Sequence, residues 1–206
     1  KTAAKEIFKK YPIFKNRKII FNPSRLGLAK GCDVSLKALR IIKKVFPDVL
    51  LIFTGTKNII EWGTKQQKDI AYILHLAKKL GLEKNIFMQT IPFDLMPKFY
   101  RIADVCVYPS ASQKPFGMSI LESLASSVPV VVTESGGIEE VIKDGKNGFV
   151  VKIRNYKELA DRCILILKNR KICDELGGNG RVLVEKKFTK EIMAENTIKV
   201  YNKILA

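Results

Sequence analysis

Short apolar segments alternate with longer stretches of helical periodicity along most of this chain. The apolar segments, such as KIIFN at 18–22, are rich in β-branched and aromatic residues and end at turn-forming residues, which predicts strands. The longer stretches repeat apolar residues at helical spacing, which predicts amphipathic helices. The predicted strands are 18–22, 49–53, 85–89, 105–108, 129–132 and 149–151. The predicted helices are 32–45, 66–80, 95–102, 118–126, 156–168, 171–186 and 190–205.

The order of these elements predicts an α/β fold. Strands that lack polar alternation are buried on both faces, as in a parallel sheet with helices on each side. Because no internal repeat and no low-complexity linker interrupts the pattern, we expect one doubly wound, Rossmann-like domain. Ligands of such domains bind beyond the carboxyl ends of the strands.

Three predicted loops at that edge of the sheet carry candidate ligand-binding residues. The loop after the first strand holds Arg25 and Lys30, and the loops after the fourth and fifth strands include 110–117 and 134–137. The last two contain Pro-Phe-Gly and Ser-Gly-Gly turns that lead into helices, where unpaired backbone N–H groups favour phosphate or sugar oxygens. A carboxylate, Glu122, lies on the first of these helices. Together these features indicate a pocket for a sugar nucleotide.

Composition narrows the class of protein. The chain has 206 residues, of which 47% are hydrophobic, and no apolar run approaches the roughly 18 residues that span a bilayer. No signal-like segment precedes the first strand, so we expect a soluble, cytosolic protein. The four cysteines lie far apart without a Cys-x-x-Cys motif, which favours reduced, buried thiols over a disulfide or a metal site.

The formal net charge of +17 is large for this length. It is compatible with binding to nucleic acid, to an anionic membrane or to anionic small molecules. The lysines are scattered, and no RNA-binding aromatic strand or recognition helix is evident, so we expect no nucleic acid partner. A nucleic-acid-binding domain is a competing hypothesis that only the charge supports. An anionic membrane surface stays open as a partner.

Six segments of the sequence resemble, in order, the C-terminal donor-binding half of retaining GT-B glycosyltransferases, the family four or group 1 glycosyl transferases. Each segment is short, but the resemblance, which also includes a terminal helix, extends from about residue 18 to the end of the chain. They are SRLGLAKG at 24–31, IFTGT at 52–56, YRIADV at 100–105, PS at 109–110, PFGMSILES at 115–123 and PVVVTESGGIEEVIKDGKNGFVV at 129–151.

The resemblance implies a role for each matching position. Arg25 and Lys30 would hold the diphosphate of the donor and stabilise the departing nucleoside diphosphate, which agrees with the need for fixed cations near developing negative charge. The backbone N–H groups of Phe116, Gly117 and Met118 would bind sugar hydroxyls. Without the other matching segments, a Pro-Phe-Gly turn or a pair of loop cations would not indicate donor binding.

Further along the same motif, the helix that begins near Ser119 would face a phosphate with its positive end. Glu122 would accept hydrogen bonds from the ribose hydroxyls, since an ionised carboxylate accepts more than one. Gly136 and Gly137 match the family's Gly-Gly turn and either shape the loop or touch the donor.

Ser24 and Thr90 stand where the family usually has glycine, but the departure that matters most is at position 114. The first glutamate of the motif, which binds the donor sugar, is replaced by Lys114, and lysine cannot accept a hydrogen bond. The donor sugar would then be acidic, such as a uronate, or Gln113 or Ser112 of this longer loop would take the role, or catalysis would be impaired. We favour an active enzyme with altered donor contacts.

The resemblance also divides the chain and limits its activity. It implies a linker or interdomain helix at 1–17, the nucleotide-sugar-binding domain at 18–189, and a helix at 190–206 that packs toward an N-terminal acceptor domain. Because that domain supplies the acceptor site, this fragment alone would be inactive. The donor would be a nucleoside-diphosphate sugar, with no metal or other cofactor, and the acceptor a glycan or a lipid-linked molecule. A non-catalytic nucleotide-sugar-binding module is the alternative, because of Lys114.

Overall fold

A six-stranded parallel sheet forms the centre of the fold. The structure is a computed structural model and describes residues 2–55, 65–111 and 117–205. The strands are β1 (Ile19–Asn22), β2 (Leu50–Phe53), β3 (Ile86–Met88), β4 (Val105–Tyr108), β5 (Val130–Thr133) and β6 (Phe149–Val151). Their order across the sheet is β3-β2-β1-β4-β5-β6. The chain winds outward from β1 and then outward from β4 in the opposite direction, which leaves a crevice beyond the carboxyl ends of these two strands. All the predicted strands are confirmed.

Helices cover both faces of this sheet. The helices are α1 (Thr2–Lys10), α2 (Cys32–Val45), α3 (Lys65–Lys79), α4 (Met96–Ile102), α5 (Met118–Ala125), α6 (Ile138–Val141), α7 (Tyr156–Lys168), α8 (Arg170–Lys187) and α9 (Lys190–Leu205). One apolar core lies under α2, α3 and α7, and a second lies under α1, α4, α5 and α6. The predicted doubly wound, Rossmann-like α/β fold is therefore confirmed.

Alternation along each strand supplies side chains to both cores. Ile20 pairs with Leu51 of β2 and with Val105 of β4, and all three side chains lie in the core under α2. The neighbouring side chains of Ile19 and Phe21 lie in the other core. Because each fully buried aliphatic or aromatic side chain contributes about 1.5–3 kcal/mol, burial on both faces explains why these strands carry no polar alternation.

The helix boundaries depend on local capping as well as on periodicity. The side chain of Asn169 accepts a hydrogen bond from the backbone N–H of Ile172 at 3.2 Å, so α8 begins one residue before its predicted start. Asn155 caps α7 in the same way, through the N–H of Glu158. None of the helices in the described part of the chain is both long and apolar enough to span a bilayer.

The two terminal helices differ in how they pack. Helix α1 lies against α4. Ile7 within α1 and Phe14 shortly after it are almost fully buried in the second core. No residue of α9 is buried, and its Tyr201 and Leu205 side chains are exposed. The packing of α9 against another domain stays a prediction.

The cysteines behave as structural thiols. All four are free, with Cys32, Cys106 and Cys163 buried and Cys173 half-buried, as predicted. Burial raises the pKa of Cys32 to about 11 and that of Cys106 to about 12, so these thiols stay protonated at neutral pH.

Gly31 allows the loop after β1 to approach the loop after β4. Its φ angle of 68° is left-handed, and a Cβ atom at this position would overlap the carbonyl oxygen of Pro109. Only glycine combines this backbone conformation with so close an approach.

We predict that Gly31→Ala lowers the free energy of unfolding by about 3 kcal/mol, because it adds a backbone clash to the cost of a left-handed alanine. Gly81→Ala is the matched control, since Gly81 has a φ of 64° and open space where a Cβ would lie. The control should lose only about 1 kcal/mol. Urea unfolding followed by circular dichroism measures both, and equal losses would contradict the proposed clash.

Candidate functional site

The first wall of the site is the loop between β1 and α2, and a buried asparagine anchors it. Asn22 is the last residue of β1, and its amide nitrogen donates to the Ser35 hydroxyl of α2 at 3.0 Å. The Ser24 hydroxyl donates to the Asn22 side-chain oxygen at 2.6 Å. The chain is therefore fixed immediately before Arg25, whose side chain is exposed at this edge.

A carboxylate from α3 fixes the second half of the same loop. The backbone N–H of Leu28 donates to the Asp69 side chain at 2.9 Å. Leu28 opens a short 3-10 helix that ends at Lys30, and the left-handed Gly31 follows. Asp69 therefore helps to fix the backbone segment that ends at Lys30, although its own side chain does not line the cavity.

The second wall is formed by the end of β4 and the start of α5. The Tyr108 hydroxyl donates to the Ser119 carbonyl and shares a hydrogen bond with the Ser123 hydroxyl. The Thr133 hydroxyl of β5 donates to the carbonyls of Tyr108 and Ser110. These bonds join α5 to the carboxyl ends of β4 and β5.

Between these walls lies a cavity of about 280 Å³ at the crevice between β1 and β4. Residues from four segments of the chain meet there. The lining residues are Asn22, Pro23, Ser24, Arg25 and Lys30 from the end of β1 and the loop after it, Tyr108 and Ser110 from the end of β4 and the loop after it, Gly117, Ser119 and Ile120 from the start of α5, and Ser135 and Ile138 after β5.

The structure brings several of the predicted site residues into this one cavity. Arg25, Lys30, Gly117 and Ser119 all line it, although they come from loops about 90 residues apart in sequence. Lys114 and Phe116 lie outside the described residues.

The remaining predicted residues surround the cavity without lining it. The Met118 side chain is 69% exposed and borders a separate apolar groove beside α9, so only its backbone is available to the cavity. Gly136 and Gly137 separate Ser135 from Ile138, which both line the cavity, and Gly136 has a φ of 48°. The two glycines therefore shape the turn that carries these lining residues.

Glu122 lies one turn further along α5 than Ser119, and a tyrosine from α4 holds it. The Tyr100 hydroxyl donates to a Glu122 carboxylate oxygen at 2.7 Å, while Glu122 itself is exposed to solvent. Burial, followed by the hydrogen bond to Glu122, raises the pKa of Tyr100 well above its usual value. The phenol therefore stays protonated and remains the donor, which leaves the other carboxylate oxygen of Glu122 available to a ligand.

The electrostatics of the cavity favour an anion. Within the described ranges no carboxylate forms an ion pair with Arg25, and no side chain caps the N-terminus of α5. An unpaired guanidinium and an uncapped helix N-terminus both attract negative charge. Among residues 2–55, 65–111 and 117–205, no three His, Cys, Asp or Glu side chains lie close enough together to hold a metal ion. His75 is exposed on α3.

Sequence reasoning assigned no role to Asn22, Asp69 or Tyr100. The sequence could have indicated a role for Asn22, because it is a polar residue at the carboxyl end of an apolar predicted strand. It could not have done so for Asp69 and Tyr100, because their hydrogen-bond partners Leu28 and Glu122 lie 41 and 22 residues away along the chain.

The family model described as Glycosyl transferases group 1 matches residues 3–183. Spore coat protein SA of Bacillus subtilis is 31% identical over 189 residues, a match that covers 91% of this chain and 49% of the relative. The chain thus spans about half the length of the relatives that it matches.

Solved structures show the same fold. The HepE protein of Anabaena, in complex with UDP and glucose, matches with a TM-score of 0.87 at 20% identity, over 98% of this chain and 52% of that one. The C-terminal domain of the group 1 glycosyl transferase LpcC from Francisella tularensis matches with a TM-score of 0.78 at 24% identity, over 91% of this chain and 93% of that one. The fold is that of the C-terminal half of a GT-B glycosyltransferase.

We predict that Tyr100 and Glu122 are coupled in stability. In a double-mutant cycle of Tyr100→Phe and Glu122→Ala, the coupling free energy should be about 1 kcal/mol, because one hydrogen bond to a partly exposed carboxylate is lost. Chemical denaturation of the four proteins gives this value.

The matched control for this cycle replaces Tyr72, which is exposed on α3. Tyr72→Phe and Glu122→Ala should be additive. Additivity of Tyr100→Phe and Glu122→Ala would show that the hydrogen bond does not hold the carboxylate.

Proposed function

The chain belongs to the group 1 glycosyltransferases, and we propose that it is the donor-binding half of a retaining enzyme. Its donor is a nucleoside-diphosphate sugar, and a hexose or hexose-derived unit passes to a glycan or lipid-linked acceptor. The single observation that carries this proposal is the convergence of Arg25, Lys30 and the N-terminus of α5 on one cavity at the β1–β4 crevice. The complex of Anabaena HepE with UDP and glucose supports this donor class.

Arg25 and Lys30 serve the step in which the sugar leaves its diphosphate. The bond between the anomeric carbon and the diphosphate oxygen breaks, and negative charge develops on the nucleoside diphosphate. Fixed cations in a preorganised site stabilise that charge without moving during the reaction. The acceptor hydroxyl attacks the same face of the sugar, and its proton passes to the departing phosphate.

Glu122 binds the ribose of the donor nucleotide. One of its oxygens accepts the Tyr100 hydroxyl, and the second is available to the ribose hydroxyls. Tyr100 is a positioning residue, since it acts on the ribose only through the carboxylate that it holds.

The replacement of the motif glutamate by Lys114 alters the contacts to the donor sugar. In an active enzyme its ammonium group pairs with the carboxylate of a uronate donor, or Gln113 or Ser112 takes the role of the glutamate. In the alternative, a non-catalytic binding module, no transfer occurs. Turnover of neutral hexose donors by the full-length protein, with uronate donors ignored, would exclude the uronate assignment.

The half-length match supports the presence of a separate acceptor-binding half, toward which the exposed apolar side chains of α9 pack. This fragment alone therefore binds donor and does not transfer sugar. Arg25 and Lys30 neutralise the charge of the diphosphate, so no metal ion is needed to bind it. The enzyme acts in the cytoplasm, and its charge of +17 favours peripheral contact with an anionic membrane face.

We predict that UDP, GDP or ADP, or one of their sugars, raises the melting temperature of this domain, because a ligand that binds only the folded state stabilises it. Arg25→Ala and Lys30→Ala should each reduce the shift to near zero. Differential scanning fluorimetry with neutral and uronate donors measures it and also identifies the base.

The controls are Arg101→Ala and Lys44→Ala, which remove exposed cations outside the cavity. These variants should retain the full shift. If the cavity variants keep the shift as well, the donor does not bind between Arg25 and Lys30.

We also predict that Glu122→Ala weakens binding of the nucleoside diphosphate about tenfold while leaving pyrophosphate affinity unchanged, because only the nucleotide presents ribose hydroxyls. Isothermal titration calorimetry with the two ligands measures this difference. Equal losses for both ligands would place Glu122 near the phosphates instead of the ribose.

A further inference from the structure

A second cavity, of about 460 Å³, lies at the amino ends of the strands, opposite the donor cavity. Lys15 and Arg17 precede β1, Lys84 precedes β3, and Lys43 lies in the last turn of α2. These four cationic side chains line the cavity, and Asp48 is the carboxylate among its described lining residues. The site is independent of the proposed function.

The four cations are not neutralised by ion pairs. In the part of the chain that the structure describes, none of them forms a salt bridge. Burial lowers the pKa of Arg17, and the nearby charge of Asp48 partly offsets this effect. One carboxylate against four cations leaves the cavity with a positive potential.

Arg17 is held rigidly, with backbone carbonyls instead of carboxylates as its partners. Its Nε atom donates to the Asp48 carbonyl at 2.7 Å, and Nη2 donates to the carbonyls of Val49 at 3.2 Å and Lys84 at 2.9 Å. The turn before it is fixed by the fully buried Phe14. These bonds keep the full charge of the guanidinium while they fix its position, which lowers the entropic cost of binding a ligand.

The placement of these cations is not explained by helix dipoles alone. Lysines in the last turn of a helix complement the partial negative charge of the carbonyls there, which accounts for Lys43, whose ammonium donates to the Gly81 carbonyl at 2.8 Å. Lys15 and Arg17 lie outside any α-helix, and Lys84 lies in a short 3-10 segment. Lys15 and Lys84 are exposed, and their side chains make no hydrogen bond within residues 2–55, 65–111 and 117–205, so they are available to a ligand.

We propose that this cavity is an anion-binding site for a phosphate group, carried by a phospholipid headgroup or by a free phosphorylated compound. Arg17 and Lys43 form its floor because they are half-buried and bonded, and Lys15 and Lys84 close over the phosphate from the rim. Phosphate oxygens match both the fork of an arginine and the point charges of lysines.

The test combines Lys15→Glu with Lys84→Glu, which reverses the rim charges and leaves the bonded Arg17 intact. The matched control combines Lys157→Glu with Lys199→Glu, two exposed lysines outside both cavities, and changes the net charge equally. Pyrophosphate is titrated into the isotope-labelled chain, and amide NMR shifts of Arg17 and Lys43 report this cavity, whereas those of Arg25 and Lys30 report the donor cavity.

We expect the dissociation constant reported by Arg17 and Lys43 to rise at least about tenfold in the Lys15→Glu, Lys84→Glu protein and to stay unchanged in the control. Sedimentation with phosphatidylcholine vesicles, with and without phosphatidic acid, then separates the two sources. Loss of phosphatidic acid binding in the rim variant alone identifies a headgroup, and a pyrophosphate effect without a vesicle effect identifies a free compound. Absence of shifts at Arg17 and Lys43, with equal vesicle binding by the rim variant and the control, would overturn the proposal.

Discussion

The contact between the backbone at Gly31 and the carbonyl of Pro109 determines where the cavity at the β1–β4 crevice can form. Gly31 ends the loop that carries Arg25 and Lys30, and Pro109 begins the loop that leads into α5. Because no side chain lies between them, the two loops meet beyond the β1–β4 crevice. A hydrogen bond from the Ala111 N–H to the Ala29 carbonyl, at 3.3 Å, adds a second connection. The cations and the N-terminus of α5 are therefore held at the same edge of the sheet.

The fold could be predicted because its cause is local in the sequence. Strands such as Val105–Tyr108 consist of consecutive residues that are buried on both faces, and this burial requires an uninterrupted apolar run. The alternation of such runs with amphipathic helices leaves a parallel sheet as the structure that covers every apolar face. The convergence of Arg25, Lys30 and Gly117 followed from the same order, because the carboxyl ends of parallel strands share one edge.

The supporting contacts of the site could not be predicted, because tertiary packing creates them. Tyr100 has the sequence pattern of a core residue on α4, and only the crossing of α4 and α5 brings its hydroxyl to Glu122. Asp69 has the pattern of a surface residue on α3, yet it accepts a bond from the loop that carries Lys30. The basic cavity at the amino ends of the strands could not be predicted either, because lysines that are far apart in sequence, such as Lys15 and Lys84, come together only after folding.

The two cationic cavities lie at opposite ends of β1, and this separation has an electrostatic consequence. Arg17 precedes the strand and Arg25 follows it, so β1, which rises about 10 Å from Ile19 to Asn22, lies between them. This distance exceeds the Debye length of about 8 Å at physiological ionic strength. Solvent ions therefore screen most of the repulsion between phosphate groups placed at these two ends, so the two proposed sites are compatible with each other. Because the net charge of +17 produces self-repulsion, an anion at either proposed site would relieve part of it.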